Sequence, residues 1–197
     1  MFTTTSAARQ RRKHLPAWAA LLERFYAREG PPLPRLYLLR KDEIPEPYRG
    51  LLVHARDMTP TLEGFYRQPM RLTVLSRERQ NGVYLREVIL KRAAEAPPVE
   101  YGVIRICLDH LPEAARQRVL EEERPLGNIL QTEAIPHTSR PEAFFRTEAD
   151  THMSAVLCLR RPCVLYGRSN ILLDDTDRVL AEVVEVLAPV EEPRAEG

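Results

Sequence analysis

The order of apolar and polar positions predicts strands over three neighbouring stretches: "MRLTVL" (70–75), "VYLREVILKR" (83–92) and "VEYGVIRICL" (99–108). The links between them, "SRERQNG" and "AAEAPP", are short and rich in turn residues, which argues an antiparallel meander. Two further strands, "CVLYGRSNILL" and "RVLAEVVEVLAP", flank "DDTD" and read as a hairpin. Helical spacing appears first in "LPAWAALLERFYAREG", where Trp18, Leu21, Leu22 and Phe25 recur on one face, Pro16 suits the first turn and Gly30 stops the run. "DMTPTLEGFY" is a second helix start, with Thr59 as the N-cap and Pro60 as the first helical residue. "LPEAARQRVLEEE" (111–123) is a helix opened by Pro112, and "RPLGNILQ" follows as a helical turn or cap. "SRPEAFFRTEAD" carries a Ser139-to-Glu142 capping box ahead of Phe144 and Phe145, a helix signature. Five or more strands, mostly in consecutive hairpins, with helices between them give an α+β class: an antiparallel sheet with helices packed on it. No βαβα alternation is present, which argues against a doubly wound nucleotide-binding fold.

Two strands carry a charge where a core should be. In "VYLREVILKR", Tyr84, Arg86, Val88 and Leu90 share one face, and Val83, Leu85, Glu87 and Ile89 share the other. In the last strand, Val179, Ala181, Val183, Glu185 and Leu187 share a face that is apolar except for the glutamate. Arg178, Leu180, Glu182, Val184 and Val186 form the opposite face, read as an ordinary mixed surface with Glu182 pointing to water. A buried charge must pair, neutralise itself or meet a ligand. Two readings stay open: Arg86 and Glu185 form a buried ion pair, or they line a closed apolar pocket in which Arg86 grips an anion and Glu185 meets a hydroxyl. Arginine suits the second because its planar fork makes two parallel hydrogen bonds to a carboxylate and keeps its charge. Glu87, on the reverse face, is expected to pair with Arg71 or Arg105.

Composition narrows the classes. At 44 % hydrophobic and 29 % charged residues the chain can build a packed core. Lys+Arg 29 against Asp+Glu 28 leaves no nucleic-acid footprint, and no apolar run approaches a membrane span. Residues 1–14 read as a disordered basic segment, 15–189 as one domain and 190–197 as an acidic, proline-containing tail. Cys107, Cys158 and Cys163 read as reduced, mostly buried thiols, and the cytoplasm is the default location. Motifs for phosphate loops, nucleophile elbows and metal knuckles are absent. By themselves, "PLGNIL" with Leu126 and Gly127 reads as a helix corner, and Met58 as core filler.

Taken in order, "DMTPTLE", "YLREVIL", "PLGNIL", "YGRSNILL" and "EVLAP" resemble the chorismate lyase family, from about Leu51 to Pro189. The resemblance implies an antiparallel sheet with helical flaps over an internal ligand cavity. It implies elimination of pyruvate from chorismate to give 4-hydroxybenzoate, without a cofactor or metal. Arg86 matches the arginine that grips the ring carboxylate, Glu185 matches the glutamate at the 4-hydroxyl end, and Leu126 and Met58 match pocket residues, with Gly127 beside them. The chain departs from the family at Tyr84, where tryptophan is frequent, and at Arg168, a lone arginine where the familiar bacterial form has two. The partner implied is a small molecule, chorismate or a related aromatic acid, with no nucleic acid or membrane. The alternative is a non-catalytic or divergent domain that binds a small aromatic carboxylic acid, of the effector-sensing type. Transcription regulators of that type carry a basic winged-helix region upstream, and residues 1–50 are read as too short and proline-broken for one.

Overall fold

A computed structural model of the chain describes residues 18–29 and 32–190. The basic segment 1–14, Pro16, Gly30 and residues 191–197 lie outside the described residues. Among those described, the elements in chain order are α1 (Ala19–Glu29), β1 (Tyr37–Leu39), α2 (Tyr48–Leu52), α3 (Met58–Tyr66), β2 (Arg71–Gln80), β3 (Val83–Lys91) and β4 (Pro98–Cys107). They continue with α4 (Glu113–Glu121), α5 (Leu126–Thr132), β5 (Thr138–Glu148), α6 (Thr151–Val156), β6 (Val164–Leu173) and β7 (Val179–Leu187). Every strand pairs antiparallel in one seven-stranded sheet, in the order β1-β5-β6-β7-β4-β3-β2. The expected meander is β2-β3-β4, and the expected hairpin is β6-β7. Pairing of β7 with β4 joins the two and sets Arg86 on β3 and Glu185 on β7 to either side of β4.

Helices cover both faces. On one, α1 lays Leu22, Phe25 and Tyr26 against Leu85, Ile89, Tyr101, Val103, Val184 and Val186, joined by Met153 and Leu157 at α6. Burying side chains of this size stabilises by about 2 kcal/mol each. On the other, α4 and α5 pack Val119, Ile129 and Leu130 on Ile104, Ile106 and Val183, while α3 brings Met58 and Leu62 to Leu90 and Leu187. The face assignment read for β3 therefore holds. The reading of the Leu180–Val186 face of β7 as a mixed surface does not: Val184 and Val186 are buried under α1, and only the Arg105-paired Glu182 is half exposed.

Three local readings are corrected. "SRERQ" is not a link but the second half of β2. The hairpin closes on two residues, Asn81 (φ 50) and Gly82 (φ 72), whose positive φ values suit the right-handed strand twist. "SRPEAFFRTE" is not a helix but β5, paired with β6 along its length. A strand sends Phe144 and Phe145 to opposite faces, where each finds a separate apolar cluster, and that outweighs the local capping signal. Ser139 donates instead to the Arg56 carbonyl (3.2 Å) and accepts from Asn170 (2.9 Å). Finally, the N-cap of α3 is Asp57, in extended conformation two residues before the expected Thr59, which is inside the helix. Of the cysteines, all free, Cys107 is buried, Cys163 half buried and Cys158 exposed. Val190 is held by the Tyr48 hydroxyl (3.0 Å), so the domain continues past residue 189.

Candidate ligand-binding site

Between the sheet and the N-terminal ends of α3 and α5 lies a cavity. Its floor is Arg86, Val88 and Leu90 of β3, Glu100, Gly102 and Ile104 of β4, Val183 and Glu185 of β7, and Asn170 and Leu172 of β6. Its roof is Asp57, Met58 and Thr59 with Pro125, Leu126 and Gly127. Thus all five site residues expected from sequence, Met58, Arg86, Leu126, Gly127 and Glu185, line one cavity. Gly127 matters for the closeness of the roof: a Cβ there would stand 3.3 Å from the Asp57 Cβ and 3.5 Å from the Pro60 Cδ. Without one, α5 closes against the start of α3.

Arg86 is 1 % exposed, and its Nε and Nη1 have no hydrogen-bond partner. Burial pushes the guanidinium down to about 10, so it remains charged at neutral pH; the charges acting on it are those of Tyr84 and Glu122. Of the two readings left open, the Arg86–Glu185 ion pair does not form. Glu185 is paired by Arg168, directly opposite it in the β6–β7 register, with Nε 2.5 Å from Oε2. The rest of the Arg168 fork goes to backbone carbonyls: Nη1 to Leu52 (3.2 Å) and His54 (3.2 Å), Nη2 to Arg56 (3.1 Å). Arg168 is 0 % exposed and ties segment 52–56, which leads into the roof helix α3, to the sheet. Sequence reading gave Arg168 no role: the expected β6–β7 hairpin put the two strands side by side, but the register that sets Arg168 opposite Glu185 includes a shift between Leu172 and Leu173 that the turn residues do not announce.

Glu100 was also missed. It shares a face with Gly102, Ile104 and Ile106, so the argument that singled out Arg86 applied to it equally. It is buried, and its Oε2 has no partner. Burial raises its carboxyl well above the ordinary carboxylate range, the negative charge of Glu185 adds to this, and Arg168 opposes it. Asn170 Oδ1 and Asp57 Oδ1 are likewise buried without a partner. Asp57 Oδ2 holds His137 Nε2 at 2.8 Å, and His137 Nδ1 meets the Ile135 carbonyl at 2.8 Å, so both ring nitrogens are satisfied as donors by the imidazolium. The Asp57 hydrogen bond raises the His137 pKa, against the effect of burial.

On the reverse face, Glu87 does not pair with Arg71 or Arg105. Its Oε1 accepts from the Tyr101 hydroxyl (2.7 Å) and lies 2.9 Å from His152 Nε2, and Arg105 pairs with Glu182 instead (3.1 Å). Glu87 and Tyr101 are on adjacent strands, and α6 delivers His152, a partner that strand pattern cannot show.

No protein-family model and no curated protein matches the chain. Among solved structures, PhnF from Mycobacterium smegmatis is 12 % identical over 85 % of this chain and 93 % of its own, with a TM-score of 0.49. The effector domain of PhnF is 11 % identical over 70 % of this chain and 96 % of its own, at 0.49. A GntR-family transcriptional regulator from Enterococcus faecalis V583 is 9 % identical over 61 % and 99 %, at 0.40. Likenesses this distant carry no functional argument. The α+β architecture, with helix ends over an internal cavity, is what the sequence resemblance implied. No helix among the described residues is long and apolar enough to cross a membrane.

The two buried arginines should respond oppositely to truncation. Arg168→Met strands Glu185 and three carbonyls and should destabilise by about 3–5 kcal/mol in urea unfolding. Arg86→Met removes unpaired donors from an apolar site and should leave stability unchanged or higher. The roof has its own pH signature. A raised His137 pKa means its contribution is fully present below pH ~6.5 and is lost as pH rises through the folded value. His137→Ala should therefore lower the melting temperature more at pH 5.5 than at pH 9, and an equal loss at both would refute the charged pair.

Proposed function

We propose that the cavity binds a small aromatic or cyclohexadiene carboxylic acid, its carboxylate on Arg86 and its ring among Met58, Leu72, Val88, Ile104, Leu126 and Leu172. The observation that carries this is the pair of buried, unsatisfied donors on Arg86 at an apolar wall. Leaving them unfilled costs stability, and a carboxylate is the anionic acceptor that a guanidinium holds with its strongest hydrogen bonds. Arg86 is the one cation among the described residues lining the cavity, because Arg168 is spent on Glu185 and carbonyls. One cation suits a monocarboxylate, so binding without turnover is the reading best supported.

Elimination of pyruvate from chorismate is the second reading. It requires removal of the ring proton at the hydroxyl-bearing carbon, and Glu185 is a carboxylate at the end remote from the clamp, which favours it. The protein would otherwise hold a reactive conformer and exclude water, since aromatisation supplies the driving force.

With 4-hydroxybenzoate at a hundredfold excess over its Kd, wild-type protein should gain about 2.7 kcal/mol, a rise of several degrees in melting temperature. Arg86→Met should show no rise. If wild-type shows none with 4-hydroxybenzoate, benzoate or chorismate, the acid-binding reading is wrong. Incubation with chorismate, followed for pyruvate and 4-hydroxybenzoate, separates the two readings: release of both establishes the lyase, and stabilisation without release establishes binding alone.

A further inference from the structure

At the end of the cavity remote from Arg86 two carboxyls line the wall, and one cation, Arg168, stands behind Glu185 outside the lining. Glu185 is met by Arg168 through Oε2 only, and Glu100 has an oxygen with no partner. Register places the two acids on the same face of adjacent strands: Gly102 lies directly opposite Glu185, and Glu100 opposite Leu187, one pleat along. Glycine at 102 leaves the space between them open. The Glu100 Oε1 lies 3.3 Å from where a Gly102 Cβ would stand, so its carboxyl leans over that residue toward Glu185. Two carboxylates so close, with a single neighbouring cation, are best accommodated when one holds a proton. The protonated member then has one O–H to donate, and the ionised one has lone pairs to accept. The protein fills this in part: Glu185 accepts from Arg168 through Oε2, whereas Glu100 Oε2 is buried without a partner in a residue that lines the cavity.

We propose that Glu100 and Glu185 together form a hydroxyl-reading end of the cavity, Glu100 donating to the ligand's hydroxyl oxygen while Glu185 accepts its proton. This rests on the acid-binding reading of the same cavity, in which the resemblance already sets Glu185 at the 4-hydroxyl end, and adds Glu100 as the residue that selects ring acids with a hydroxyl opposite the carboxylate. A hydroxyl is the small group that both donates and accepts. An amine meets Glu185 but leaves the Glu100 proton unmatched, an ether meets Glu100 but leaves Glu185 unmatched, and a bare ring edge strands both. Glu100 is thus a specificity-determining residue that the sequence resemblance does not mark.

Calorimetric titration of the full chain with 4-hydroxybenzoate, 4-aminobenzoate, 4-methoxybenzoate and benzoate tests this. Wild-type should bind 4-hydroxybenzoate at least about tenfold more tightly than each of the other three, as a site built to bond a hydroxyl rejects analogues lacking it. Glu100→Leu should narrow the preference to about twofold while binding benzoate no worse, and should melt no lower than wild-type because it removes an orphaned carboxyl. Should that variant not fold, Glu100→Met serves in its place. Glu100→Gln, whose amide still donates, should keep the preference. Equal binding of all four probes by wild-type overturns the inference and leaves the acid-binding reading standing. So does a full tenfold preference in Glu100→Leu, which would assign the hydroxyl to Glu185 alone. Binding of none of the four removes the acid-binding reading, and this inference with it.

Discussion

Arg168 is the bond on which the cavity depends. Its planar fork reaches Glu185 across the strand pair and three carbonyls of segment 52–56, so one side chain fixes both the acid at the floor and the approach to the roof. Guanidinium is suited to this because its donors diverge in a fixed plane and it stays charged when dry. With Arg168 so engaged, the charge on Glu185 is compensated without Arg86, and Arg86 is left with unfilled donors in an apolar setting. Held charge on one strand pair is what leaves charge available on another.

The two faces of the sheet make the contrast sharper. Behind it, Glu87, Tyr101 and His152 satisfy one another, and burial together with the Glu87 charge holds the Tyr101 hydroxyl well above its ordinary range. Such a satisfied network specifies where α6 docks. Of the eight buried side-chain atoms without a hydrogen-bond partner among the described residues, five belong to Arg86, Glu100, Asn170 and Asp57, which line the cavity, and the other three lie on Arg92, Asn128 and Asp150. Orphaned groups cost stability wherever they are buried, and their gathering around a single space is what a ligand site predicts.

The cavity owes its shape to small or absent side chains as much as to the charged ones. Gly102 opens the floor between two carboxyls, and Gly127 lets the ends of α3 and α5 meet. The Asp57–His137 bond then joins the start of α3 to the chain leaving α5, so the roof is closed by an ion pair rather than by packing alone.

What the chain determined locally was its strand faces. Alternation placed Arg86 and Glu185 inward from residue order alone, and the resemblance of short motifs put Met58, Leu126 and Gly127 beside them. Where alternation and a local signal disagreed, as in "SRPEAFF", the capping box was the weaker guide, because two phenylalanines had two cores to fill. Glu100 was legible by the same face argument and passed over. Arg168 was legible in part: the expected hairpin put β6 beside β7, but the register that sets Arg168 opposite Glu185, with its shift between Leu172 and Leu173, came only with the structure. Which buried charges are partners is decided by register and by elements distant in sequence, the pairing of β7 with β4 and the return of segment 52–56 to Arg168, and only the assembled sheet supplies those.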